Sequence, residues 1–76
     1  NRAHGDAFAE EIEDAVRLVA FFPGAGTFYS GATFPGVHRL YLQKVGMHLY
    51  YTFDDDEVIV RALWGARRRR GPRMKR

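Results

Sequence analysis

The first part of the chain has the hydrophobic spacing of an amphipathic helix. From Asp6 to Phe22, apolar residues recur at intervals of three and four, which places them on one helical face. These apolar positions are Phe8, Ile12, Ala15, Val16, Val19 and Phe22. We expect Asp6 to cap the first turn, and Pro23 to end the helix near Phe21 or Phe22. The spacing therefore predicts a helix over about residues 6–22.

The second half of the chain alternates apolar and polar residues with a period of two, as β-strands do. Turn residues separate three such segments, with Val45-Gly46 after the first and the acidic run at 54–57 after the second. The strands are predicted at about residues 37–45, 47–53 and 58–64. We expect Leu40 and Leu42 to face the core. The third strand is apolar on both faces and is therefore expected to lie at the centre of the sheet.

The fold class predicted from these segments is α+β, with one helix packed on a three-stranded antiparallel meander. Gly and Pro recur through residues 23–36, which predicts a loop there, and residues 65–76 form a basic tail. Together these segments make a single domain over residues 1–76. One helix can cover only part of the apolar face of a sheet, so we expect dimerisation or a further element outside these segments.

Composition excludes several classes of protein. The chain has 76 residues, 46% of them hydrophobic, and no cysteine. This apolar content argues against wholesale disorder, and the lack of cysteine excludes a disulfide scaffold or a Cys-ligated zinc site. No apolar run approaches the roughly 18 residues of a membrane span, and the N-terminus lacks a signal-peptide core. We therefore expect a cytoplasmic protein that does not bind membranes.

Charge is divided unevenly along the chain. The first 22 residues carry five acids against two bases, whereas residues 58–76 carry eight bases and no acid. Seven of those bases lie in the last twelve residues: Arg67, Arg68, Arg69, Arg70, Arg73, Lys75 and Arg76. Such a density is typical of a surface that binds an anionic partner, and the alternative is a solvated tail.

Residues that could carry catalysis or bind a metal are few. His4, His38 and His48 lack metal-ligand spacing with nearby acids, and no Ser-His-Asp arrangement stands out. The acids at 54–57 do not follow the spacing of a calcium loop and are better interpreted as a hairpin turn. We therefore expect neither a metal nor a cofactor.

The basic residues are the remaining chemical signal. Arg39 and Arg61 fall on predicted strands, and Arg67–Arg70 follow the last strand. Tyr50, expected to be exposed, and Trp64 would add flat aromatic surface beside them. Because a guanidinium group pairs equally well with phosphate and carboxylate, RNA, DNA and an acidic protein all stay open as partners.

Three segments of the sheet region resemble one known family. They are Arg39-Leu40, the sequence HLYYTF at residues 48–53, and the sequence DEVIVRALWGARR at residues 56–68. Together they resemble the sheet of the ParE/RelE superfamily of toxins from bacterial type II toxin-antitoxin operons. The helix that ends in Phe21-Phe22-Pro23 resembles the second helix of these toxins. The resemblance implies a further N-terminal strand and first helix, and we expect both to be missing before the helix at residues 6–22.

The resemblance implies two branches of function. RelE-like members cut mRNA on the ribosome with strand bases and a Tyr or His near the C-terminus. Here Arg39, Arg61 and His48 are the candidates for that chemistry, but residues 65–76 contain no Tyr or His. ParE-like members instead inhibit DNA gyrase without being enzymes. The missing proton donor favours the ParE-like branch, with the endoribonuclease as the alternative.

The partners follow from this interpretation. The resemblance implies a cognate antitoxin whose acidic, partly disordered C-terminal segment folds onto the toxin, with a higher-order oligomer as an open alternative. The residues expected to contact the antitoxin or the target are Tyr50, Trp64, Arg67, Arg68, Arg69 and Arg70. A small nucleic-acid-binding module is a third interpretation, which predicts binding to naked DNA or RNA with a steep salt dependence.

Overall fold

The computed structural model of the chain describes residues 2–33 and 35–66, the first five of them as backbone only. These residues form an α+β structure, as the sequence predicts, with one helix and one antiparallel sheet. Its elements are α1 (Arg2–Phe21), a 3-10 turn (Pro23–Ala25), β1 (Thr27–Phe28), β2 (His38–Leu42), β3 (Met47–Phe53) and β4 (Val58–Gly65). The residues of the basic tail after Ala66 lie outside this description.

Helix α1 begins four residues before the predicted start. Asp6 therefore lies inside the helix rather than at its N-cap. Gly5 does not prevent this extension, because a single glycine weakens a helix by only about 1 kcal/mol. The helix ends at Phe21, and Pro23 opens the 3-10 turn, so the predicted C-terminal boundary is confirmed.

Within the described residues the sheet has four strands instead of three. Their order is β1-β2-β3-β4, and all neighbours are antiparallel. The additional strand β1 is two residues long and lies in the segment predicted as loop, where Thr27 pairs with Arg39 and Phe28 with His38. A strand this short has no alternation for sequence analysis to detect.

The strand at the centre of the sheet is not the predicted one. β4 is an edge strand with mostly half-buried and exposed residues, whereas β3 is internal and carries Leu49, Tyr50 and Tyr51, each at most 2% exposed. Although β4 has apolar side chains on both faces, it is not buried on both faces, because Ile59 and Val60 are each more than a third exposed. The predicted central position of the third strand is therefore wrong.

Two turns set the register of the meander. β2 ends at Leu42, three residues before the predicted end, because residues 43–46 form a turn in which the Gly46 amide donates to the Leu42 carbonyl at 2.8 Å. Gly46 has a φ of 67°, a conformation that L-residues with side chains rarely adopt. At the next turn, Asp54 Oδ1 accepts hydrogen bonds from the amides of Asp56 and Glu57. The turn interpretation of the acidic run is confirmed.

Each face of the sheet has its own small core. Under α1 the buried cluster is Ala15, Val19, Leu42, Leu49 and Tyr51, with Leu40 partly buried against it. On the opposite face, Val37 and Tyr50 are buried beneath Tyr29 and Ala32 of the loop before β2. The loop therefore acts as a second layer, and this explains why both faces of β3 are covered.

Candidate functional site

The candidate residues lie mostly on the sheet face that points away from α1. Side chains alternate along a strand, so the face opposite Leu49 and Tyr51 carries His48, Tyr50 and Thr52 of β3. On β2, Arg39 is the strand partner of Tyr50, and Tyr41 is the partner of His48. We call this surface the open sheet face, because α1 does not cover it. Its residues are Arg39, Tyr41, His48, Tyr50, Thr52, Arg61 and Trp64, and Tyr29 of the loop before β2 packs against it.

Arg39 is a half-buried cation with no carboxylate partner among the described residues. Its guanidinium carbon lies 5.2 Å from the centroid of the Tyr29 ring. A contact of this kind contributes about 0.5–1 kcal/mol at exposed sites and leaves the guanidinium donors available to a ligand. Arg39 is therefore positioned to receive a phosphate or a carboxylate.

His48 lies next to Arg39 in an aromatic setting. Its ring centroid is 5.3 Å from that of Tyr41 and 6.1 Å from that of Tyr50. Burial, and then the positive charge of Arg39, lower the pKa of His48 below its ordinary value of 6.5. The imidazole is therefore neutral at pH 7, and its Nδ1 is buried without a hydrogen-bond partner among the described residues. A neutral imidazole can accept a proton.

A shallow depression brings these groups together at the edge of the sheet. Its volume is about 220 Å³, and its lining consists of Ala25, Gly26, Thr27, Arg39, Leu40, Tyr41 and His48. The exposed ring of Tyr41 stands beside it and offers a surface on which a base or another ring can stack. The sequence pattern places Tyr41 on the same face as Arg39, but Tyr41 was not among the predicted site residues.

Tyr50 does not have the exposed position that the sequence predicted for it. Its side chain is 2% exposed, and the Tyr29 ring packs edge-on against it at 4.9 Å. The physical reason is the loop before β2, which folds over this part of the sheet. Trp64 is the strand partner of His48 and packs against the same cluster, so it too is partly covered.

Arg61 lies on β4 at a register shift opposite Tyr50 and Tyr51. Its Nε donates a hydrogen bond to Thr52 Oγ1 at 3.0 Å, which places its side chain on the open sheet face. The structure thus puts the three nuclease candidates, Arg39, His48 and Arg61, on one face. Arg67–Arg70 lie outside the described residues, where the chain continues from the C-terminal end of β4.

His38 belongs to a different environment from His48. Its ring lies 5.0 Å from that of Phe53 and 5.9 Å from that of Tyr51, and its Nδ1 is 3.1 Å from the Gly36 carbonyl oxygen. Among the side chains described, those of residues 7–33 and 35–66, no three or more His, Asp or Glu residues are grouped so that they could hold a metal ion. The one helix in that part of the chain is too polar to cross a membrane.

Comparison with known proteins gives no relative for this chain. No protein-family model, no curated protein and no solved structure matches it.

Proposed function

We propose that this chain is the toxin component of a bacterial type II toxin-antitoxin module, neutralised by a cognate antitoxin and directed against DNA gyrase. The observation that carries the proposal is the segment 56–68, whose sequence resembles that of ParE/RelE toxins. It begins in the acidic turn, forms β4 and leads into Arg67–Arg70, which we call the arginine run. A helix followed by the antiparallel strands β2, β3 and β4 agrees with the order of elements that this resemblance implies.

Antitoxin binding is assigned to the basic groups. An acidic, partly disordered segment would meet the arginine run, and Arg39 offers a further guanidinium without a carboxylate partner in the described part of the chain. Arginine pairs with carboxylate through two parallel hydrogen bonds, which gives both affinity and orientation. The exposed aromatic contact next to Arg39 is Tyr41, because Tyr50 is buried.

Gyrase is favoured as the target because residues 65–76 have no counterpart of the C-terminal proton donor that the resemblance implies for RelE-like toxins. Cleavage of a phosphodiester needs one group that accepts a proton and another that protonates the leaving oxygen. Residues 65–76 contain no Tyr or His that could act as the second group. The arginines there can bind an anionic surface but do not exchange protons near neutral pH.

Ribosome-dependent mRNA cleavage is the second candidate function. The observation that favours it is the proximity of Arg39 and His48, since a neutral imidazole can accept the proton of a ribose 2′-hydroxyl while a guanidinium neutralises the phosphate. Arg61, on the same face, would add a second positive charge. Under this candidate, Arg39→Ala or Arg61→Ala abolishes mRNA cleavage, while antitoxin binding survives through Arg67–Arg70.

Induction of the chain in bacterial cells and a gyrase supercoiling assay with the purified chain test the first candidate. We expect growth arrest and gyrase inhibition, both lost in the variant Arg67→Ala/Arg68→Ala. Arg17→Ala/Lys44→Ala is the matched control, since it also removes two positive charges, and it should retain both effects. Equal growth arrest and equal gyrase inhibition in the two double variants would contradict the role assigned to the arginine run.

A further inference from the structure

A groove runs between α1 and β2. It has a volume of about 300 Å³, and its floor is apolar. The floor residues are Ala15, Leu18, Leu40 and Leu42, the acidic rim on the helix is formed by Glu10, Glu11 and Asp14, and Lys44 stands at one end. Leu18 is 41% exposed, so a part of this floor is open to solvent.

The rim of the groove attracts positive charge. Three carboxylates against one ammonium give its lining a formal charge of −2. Asp14 forms an ion pair with Arg17, whose Nη1 lies 3.0 Å from Asp14 Oδ1. Glu11 Oε2 accepts a hydrogen bond from the Lys44 backbone amide at 3.1 Å, while Oε1 is buried with no partner in the described part of the chain. Glu11 is therefore not open to a ligand, and the exposed carboxylates on this rim that a cationic group can reach are those of Glu10 and Asp14.

The described part of the chain ends close to this groove. The Ala66 amide donates a hydrogen bond to the Gly46 carbonyl at 2.9 Å, which holds the end of β4 against the turn at 43–46. A second depression, lined by Tyr41, Gln43, Lys44, Val45, Gly46 and Ala66, shares Tyr41 and Lys44 with the groove. A continuous surface therefore leads from Ala66 into the groove.

We propose that residues 67–76 of the same molecule dock along the α1–β2 groove in the free protein. Seven of these ten residues are Arg or Lys, which complements the acidic rim, and Met74 is an apolar side chain for the floor. Ten residues span up to about 33 Å when extended. The helical rim from Ala7 to Leu18 is only about 16 Å long, so the segment is long enough to follow it.

Because the segment is covalently tethered beside the groove, docking within the same molecule is favoured over docking of the segment from a second copy. The segment starts beside the groove, so its effective concentration there is in the millimolar range typical of short linkers. An antitoxin, a target protein or a nucleic acid that binds Arg67–Arg70 must then displace them from α1. This inference does not depend on the identity of the target.

Paramagnetic relaxation by a spin label tests the proposal on the full chain. Because the sequence contains no cysteine, Met74→Cys introduces a single site for a nitroxide. We expect loss of amide signal at residues 10–18 and 40–44. The loss should be removed by Glu10→Gln/Asp14→Asn, and by about 1 M salt, where the Debye length is about 3 Å.

The matched control is Glu13→Gln/Asp55→Asn, which removes two exposed carboxylates that do not line the groove. The signal loss should persist in this variant. Loss spread over the whole surface, loss at a different surface, or equal effects of the two double variants would overturn the proposal. A further control mixes isotope-enriched chain that carries no nitroxide with spin-labelled chain at natural isotope abundance. Signal loss in the isotope-enriched chain would also overturn the proposal, since docking would then occur between molecules.

Discussion

The Tyr51 hydroxyl accepts a hydrogen bond from the Gly26 backbone amide at 2.9 Å. The same hydroxyl donates a hydrogen bond to the Pro23 carbonyl oxygen at 2.6 Å. Tyr51 is fully buried at the centre of β3, so its side chain ties the middle of the sheet to the turn that follows α1. This link fixes the path of the chain from the helix into β1, beside which Arg39 and His48 are placed.

Replacement of Tyr51 by Phe should destabilise the fold measurably. Tyr51→Phe leaves the Gly26 amide and the Pro23 carbonyl without their partner, at an expected cost of about 1–3 kcal/mol in the free energy of unfolding. Urea denaturation measures this change. Tyr41→Phe is the control, because the Tyr41 side chain is exposed, and its effect should stay within about 0.5 kcal/mol. Similar losses in both variants would contradict the role of the Tyr51 hydroxyl.

The same residue predicts a loss of stability in alkali. Burial raises the pKa of Tyr51 above 10.0, and the hydrogen bond from Gly26 acts in the opposite direction. Since the unfolded chain loses this proton near pH 10, the contribution of Tyr51 is complete below about pH 10. It is lost as the pH rises through the folded-state pKa. The free energy of unfolding should therefore fall more steeply above about pH 10 in the wild type than in Tyr51→Phe, and parallel curves would refute this.

Gly26 should tolerate no side chain. A Cβ at this position would lie 2.6 Å from both the Arg39 carbonyl oxygen and the Tyr51 hydroxyl. Gly26→Ala must therefore push β2 or break the Tyr51 link, and we expect a loss of about 1–3 kcal/mol in thermal or urea unfolding. Gly24→Ala is the control, because no atom lies within 4 Å of a Cβ there. A loss as large in Gly24→Ala would show that the cause is not steric contact.

The pKa of His48 should depend on Arg39. Burial is the larger cause of its lowered pKa and Arg39 the second, so Arg39→Gln should raise it while leaving it below 6.5. Titration of the imidazole protons by NMR gives the value directly. Arg61→Gln removes a charge from the same sheet face, and it should leave the pKa of His48 unchanged. A response to Arg61→Gln but not to Arg39→Gln would contradict the pairing of His48 with Arg39.

Sequence periodicity predicts the elements well where a regular pattern is long. The boundaries of β3 agree with the predicted 47–53, and α1 ends where Pro23 requires. The predicted start of α1 was wrong, because the six residues before Ala7 carry no apolar stripe and therefore give no periodic signal. The two-residue strand β1 was missed, since its pairing with β2 depends on the loop path and not on local alternation.

The candidate site was harder to predict, because exposure depends on what covers the sheet. The pattern places Tyr50 opposite the apolar face of β3, and exposure follows only if nothing packs there. In the structure the loop before β2 brings Tyr29 against Tyr50, which buries one aromatic and leaves Tyr41 as the exposed one. The proximity of Arg39 and His48 depends on the β2–β3 register, which the short turn sets and the sequence alone does not give.

Two assays on the same purified chain distinguish an inhibitor of DNA gyrase from a ribosome-dependent nuclease. One measures DNA gyrase supercoiling and cleavage-complex formation, and the other measures ribosome-dependent mRNA cleavage. If the chain is a toxin directed against gyrase, we expect it to inhibit supercoiling in the first assay and to leave the mRNA intact in the second. Cleaved mRNA with unaffected gyrase would contradict the gyrase assignment and would assign the chemistry to Arg39, His48 and Arg61.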